Sequence, residues 1–224
     1  SVDSEVFTTI ECSKLPPDPP ILSLNFTPVP VAGDLTTFNV SLRWSDSFNE
    51  DGYKIIRDGV NITSNLSALC SAASTGADKN CIDNFNVVDG QTYNYVIRSV
   101  NANGETASNT MPVAVPIAKP GPITLTGTQT TSGSVQLSWN AVATTAAGGT
   151  VTYSVERDNT SDFTTTLIPG CQNISVLVCE DGVPSGAEPW YRVRANNLGG
   201  ESISNPVRIV VVTLPEKWRE ISPF

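Results

Sequence analysis

The sequence predicts an all-β protein built as two tandem β-sandwiches, with an extended strand leading into the first. Three observations carry that expectation. Several segments alternate apolar and polar residues at period two, two proline-rich stretches punctuate the chain, and one unit of about 95 residues occurs twice.

The alternation is clearest in Phe38–Trp44 (FNVSLRW) and Val135–Trp139 (VQLSW), where every second side chain would face a core. Tyr53–Arg57 runs into Asp58-Gly59 and then Val60–Thr63. Asp-Gly between β-rich runs marks a two-residue hairpin, because both turn positions need positive φ. No stretch shows helical periodicity; the alanines between Ala68 and Ala73 are too few and too interrupted.

Prolines 16, 17, 19 and 20 form one cluster, and 112, 116, 120 and 122 form another. Proline cannot donate to a sheet ladder, so such clusters sit at strand starts, edges and linkers. They divide the chain into a leader (1–17), a first domain (18–116), a second domain (117–214) and a tail (215–224). The linker from Ile117 to Pro122 reads as semi-rigid. The repeat follows the same division: Trp44 and Trp139 lie 95 positions apart, Asn101 and Asn197 lie 96 apart, and Tyr93–Glu105 recurs as Trp190–Glu201.

At these residues the chain resembles the fibronectin type III family. Trp44 and Trp139 stand where that family has a core tryptophan ending its second strand, and Tyr53 and Tyr153 where its third strand starts. Tyr93, Tyr95, Ile97, Ser99, Asn101 and Gly104 match its sixth-strand pattern, as Tyr191, Val193, Ala195 and Asn197 do in the second copy. The resemblance implies that Trp44, Tyr53, Tyr93, Trp139, Tyr153 and Tyr191 are structural, and that Tyr93 is a corner tyrosine bonded to nearby backbone. Pro189 takes the corner position in the second copy, which cannot make that bond. The resemblance covers roughly 18–214 and implies a fold, not an activity.

The chain contains no histidine. That removes the usual general base and commonest metal ligand, so Ser-His-Asp, Cys-His and common zinc chemistry are out of reach. The expectation is a non-enzyme without cofactor or metal. A net charge of -9 repels phosphate backbones and anionic lipid, so neither nucleic acid nor membrane insertion is expected. The first residues, SVDSEVFTTIE, lack the basic start and apolar core of a signal peptide, so any such peptide is expected to be gone already.

Cys70/Cys81 and Cys171/Cys179 fall in the same region of each repeat, which favours two local disulfides over buried free thiols and, with them, an oxidising compartment. Cys12 is left over, in a strand-like leader. It is either an unremarkable thiol or part of an inter-chain bond or a strand that adds to a neighbour's sheet edge. Sequons occur at Asn25, Asn39, Asn61, Asn65, Asn159 and Asn173; the loop sites Asn61, Asn65 and Asn159 are the best glycan acceptors, and Asn39 sits within a strand. In the tail, Trp218, Ile221 and Phe224 either fold back on the second domain or dock a partner.

The acidic run Asp46–Gly52 echoes a calcium loop, but its twelfth position, Asp58, ends a strand that cannot wrap an ion, so an ordinary turn is expected. The sequence therefore reads as an extracellular or cell-surface structural and adhesive protein, a filament subunit joined through its leader strand. Its partners would be copies of itself or cell-surface proteins. The alternatives are a spacer from a larger secreted enzyme and a receptor ectodomain that binds a protein ligand through its loops.

Overall fold

Alternation along Phe38–Trp44 becomes a strand because one of its rows is apolar. Phe38, Val40, Leu42 and Trp44 are buried, while Asn39, Ser41 and Arg43 are half-buried or exposed. The computed structural model describes residues 15–24, 28–32, 37–73, 76–164 and 167–213. The expectations for most of the leader with Cys12, for Asn25 and for the tail lie outside these residues. The chain divides into two compact units, Ser1–Pro116 and Ile117–Phe224.

In the first unit, β1 (Leu22–Leu24), β2 (Val29–Pro30), β3 (Phe38–Trp44) and β6 (Lys79–Asp83) form one antiparallel sheet with β3 in the middle. The facing sheet holds β4 (Gly52–Arg57), β5 (Val60–Asn61), β7 (Thr92–Asn101), β8 (Gly104–Ala107) and β9 (Met111–Ala114). Asp58 and Gly59 join β4 to β5 with φ of 49° and 81°, the left-handed pair that this hairpin requires. Ser108 separates β8 from β9 by exchanging hydrogen bonds with Ile97: its N–H donates to the Ile97 carbonyl and its hydroxyl accepts from the Ile97 N–H. Between β5 and β6 the chain makes a 3-10 turn at Thr63–Asn65 and then one α-helical turn, α1 (Ala68–Ser71). The alanine count did not foretell it; Ser67 caps it, and Cys70 anchors it to a strand.

The second unit repeats the plan. One sheet contains β10 (Leu125–Gln129), β11 (Val135–Trp139) and β13 (Val178–Asp181); the other contains β12 (Thr152–Asp158), β14 (Trp190–Asn197), β15 (Gly200–Ile203) and β16 (Val207–Arg208). Ser204 exchanges the same two bonds with Val193 that Ser108 makes with Ile97. In both units the core is centred on an indole packed against a tyrosine: Trp44 on Tyr53 with ring centroids 5.5 Å apart, and Trp139 on Tyr153 at 5.7 Å.

Candidate functional site

The disulfides lie at matching places. Cys70 on α1 bonds to Cys81 on β6, and Cys171 bonds to Cys179 on β13. All four residues are buried. Each bond ties a segment lying along the edge of one sheet to a strand of the other. In the first unit that segment is α1, so close to β4 that a Cβ on Gly52 would come within 2.5 Å of the Ser71 carbonyl oxygen. In the second, the Cys171 carbonyl accepts from the Val155 N–H, and Ile174 pairs with Tyr153. The bonds thus close one side of each sandwich and limit how far the two sheets can part.

A buried polar cluster crosses each sandwich. Asp83 Oδ2 accepts from Arg57 at 2.8 Å and from the Tyr95 hydroxyl at 2.7 Å. Asp181 likewise accepts from Arg157 at 2.8 and 2.9 Å and from Tyr191 at 2.8 Å. Burial and then the adjacent carboxylate push both tyrosine hydroxyls far above their ordinary range, so they remain protonated donors at neutral pH. The sequence reading missed these clusters. Their one sequence signal is the recurrence of Arg57, Asp83 and Tyr95 as Arg157, Asp181 and Tyr191 in the same order.

A third repeated contact fastens the segment entering each unit. Asn101 Nδ2 donates to the Leu15 carbonyl at 2.9 Å and to the Asn49 carbonyl at 2.8 Å, and its Oδ1 accepts from the Asn103 N–H. Asn197 Nδ2 donates to the Ala118 carbonyl at 2.9 Å and to Thr144, and its Oδ1 accepts from the Gly199 N–H. The loop after each core tryptophan is held by a tyrosine: the Ser47 N–H bonds to the Tyr53 hydroxyl, and the Val142 N–H to that of Tyr153.

The other predicted residues fall as follows. Trp44, Tyr53, Trp139, Tyr153 and Tyr191 are buried. Tyr93 is half-buried rather than interior; its hydroxyl accepts from the Val88 N–H at 3.1 Å and faces the Asn86 carbonyl, and its ring carries Arg57. Pro189 makes no corner, and its carbonyl accepts from the Ile209 N–H. Asn61, Asn65, Asn159 and Asn173 are exposed, and Asn39 is half-buried in β3. The calcium-like run is spent on a turn: Ser47 is buried, Gly52 opens β4, and Asp58 Oδ1 accepts from the Asn94 N–H at 2.8 Å. Among the described residues, no group of three or more His, Cys, Asp or Glu converges on a place for a metal, and no helix is long and apolar enough to cross a membrane.

Twice in one chain, a sheet whose middle strand ends in a buried tryptophan meets a sheet whose first long strand packs a tyrosine on that indole. Both units are β-sandwiches of the fibronectin type III/immunoglobulin-like kind. No family model matches the chain. Cardiac-type myosin-binding protein C of Rattus norvegicus is 33% identical over 120 residues, which is 51% of this chain and 9% of that protein. The Mus musculus protein of the same name is 32% identical over the same shares. The chain thus spans 9% of the length of the curated relatives it matches. Among solved structures, a crystal structure of titin domains covers 88% of this chain and 68% of its own, at 16% identity and a TM-score of 0.37.

Proposed function

We propose that the chain is a non-catalytic structural and adhesive module of an extracellular or cell-surface protein, which engages other proteins, copies of itself among them. The carrying observation is the pair of buried disulfides at one matching place in each sandwich. Such bonds persist in oxidising surroundings and stiffen a domain against opening. The relatives are named as myosin-binding proteins, which supports binding over catalysis, and the absence of histidine from the sequence points the same way. In the filament form of this reading, the leader pairs with a sheet edge of the next copy, a head-to-tail contact that propagates.

One observation favours a second form, a spacer within a larger protein. Each sandwich contains its own first and last strands around a filled core, so a donated strand finds an edge to extend but no gap to fill. Analytical ultracentrifugation of the natively produced protein, with and without residues 1–17, separates the two. Polymers that disappear on deletion support the filament form. A monomer indifferent to deletion supports the spacer. Recovery of Cys70, Cys81, Cys171 and Cys179 as free thiols from the native source would overturn the extracellular reading.

A further inference from the structure

Each unit joins its first strand to its last segment through a single carboxamide side chain. In the first unit, Asn109 Oδ1 accepts from the Leu22 N–H at 2.9 Å, and its Nδ2 donates to the Leu22 carbonyl at 3.1 Å. In the second, Gln129 Nε2 donates to the Val212 carbonyl at 2.7 Å, and its Oε1 accepts from the Val212 N–H at 2.9 Å. A primary amide presents one acceptor and a donor side by side, as a peptide group does. Each therefore acts as a one-residue strand that satisfies both backbone polar atoms of its partner.

The two clamps use different residues and sit at opposite ends of the first strand, Leu22 lying beside Trp44 and Gln129 beside Val135. Asn109 follows β8 and grips β1, whereas Gln129 ends β10 and grips the segment after β16. Asn205, which follows Ser204 as Asn109 follows Ser108, is exposed and precedes Pro206. What the units share is the seam, not the residue. Among the described residues, the first strand of each is paired by backbone along one side only, β1 with β3 and β10 with β11. A strand unpaired on its outer edge is the element most easily lifted out and replaced by the same strand of another copy.

We propose that Asn109 and Gln129 are seam locks that keep the first strand of each sandwich at home and suppress its exchange between copies of the chain. The test uses the full chain and two variants, Asn109→Ala and Gln129→Ala, with amide hydrogen exchange followed by NMR. The reporters are amides that neither removed side chain touches. The Ser45 N–H bonds to the Ile21 carbonyl at 3.0 Å beside β1, and the Thr130 N–H to the Ser134 carbonyl at 2.7 Å at the end of β10.

Asn109→Ala is expected to speed exchange at Ser45 by about 5- to 30-fold while Thr130 stays as in the parent. Gln129→Ala is expected to do the reverse. Both variants are expected to form strand-exchanged dimers at millimolar concentration, seen by light scattering after size exclusion. An unmoved reporter overturns the proposal, as does a variant that stays monomeric at that concentration. Acceleration of every amide in the altered unit, those of β4 and β7 or of β12 and β14 included, also overturns it, because the residue would then be a general determinant of the fold.

Discussion

On the outer face of the first unit, Lys54 and Arg98 both reach Glu105. On the second, Arg192 and Arg194 close around Glu156, which is only 2% exposed, and Arg194 also holds Glu201 while Arg192 lies over the Phe163 ring at 4.3 Å. The register pair Glu156–Arg192 of the second unit corresponds to Ile56–Val96 of the first. One sandwich thus covers this patch with an apolar pair and the other with an ion pair. Inside, by contrast, Arg57–Asp83–Tyr95 and Arg157–Asp181–Tyr191 are the same three groups in the same geometry. The outer patch is completed by side chains of its own sheet, so an apolar pair serves in one unit and a buried carboxylate held by two arginines in the other. A buried carboxylate joining three strands has one workable set of partners, because any lost partner leaves a desolvated charge.

The largest test of this comparison removes that carboxylate. Asp83→Ala strands the Arg57 guanidinium, whose side chain is 11% exposed, and is expected to cost the first unit about 3–5 kcal/mol in denaturant unfolding. Asp181→Ala is expected to cost less, because Arg157 is 33% exposed and can turn to water. Equal losses would break the link between burial and conserved geometry. Next in size, replacing Cys70 and Cys81 together by serine should lower stability by about 2.5–3 kcal/mol, and the Cys171/Cys179 pair, which encloses a slightly shorter loop, by marginally less. A clear inequality would show that the closed sides are not equivalent.

Smaller again is Tyr93→Phe, which frees the Val88 N–H and should cost the first unit about 1 kcal/mol on thermal unfolding, with the second unit unmoved. The smallest effect is expected with pH. A hydrogen bond from Lys54 holds the Glu105 carboxyl below its ordinary 4.5, and the Thr164 backbone N–H holds that of Asp158 below 3.8. Carboxyls depressed in the folded state contribute stability that is present above their unfolded values and lost as pH falls through the folded ones. The raised hydroxyls of Tyr95 and Tyr191 act oppositely, with loss beginning as pH rises past 10, their ordinary value. With no histidine in the sequence, both units should hold level stability from pH 6 to 9. A step in that interval, by calorimetry at graded pH, would contradict the assignment.

Some of this was legible in order along the chain. Period-two alternation placed Phe38–Trp44 and Val135–Trp139 as strands with buried tryptophans, and Asp58-Gly59 marked the hairpin turn after Tyr53–Arg57, because those signals lie within a few neighbouring residues. The matching positions of the four cysteines favoured local pairing without excluding free thiols; the structure joins them across an edge. The single turn α1 was not legible, since its four residues are held by Ser67 and by a bond to β6 rather than by helical periodicity.

By itself, then, the sequence determined that this is an all-β duplicate without the means for histidine chemistry. Apolar period, turn chemistry and composition are local properties that need no partner. Only the tertiary structure decided which polar side chains matter: Asp83 meets Arg57 across 26 residues, Asn109 meets Leu22 across 87, and Gln129 meets Val212 across 83. An isolated asparagine, glutamine or aspartate reads as surface until folding brings a buried donor or an unpaired strand to it. The desolvation that makes such a contact count exists only once the sheets have closed.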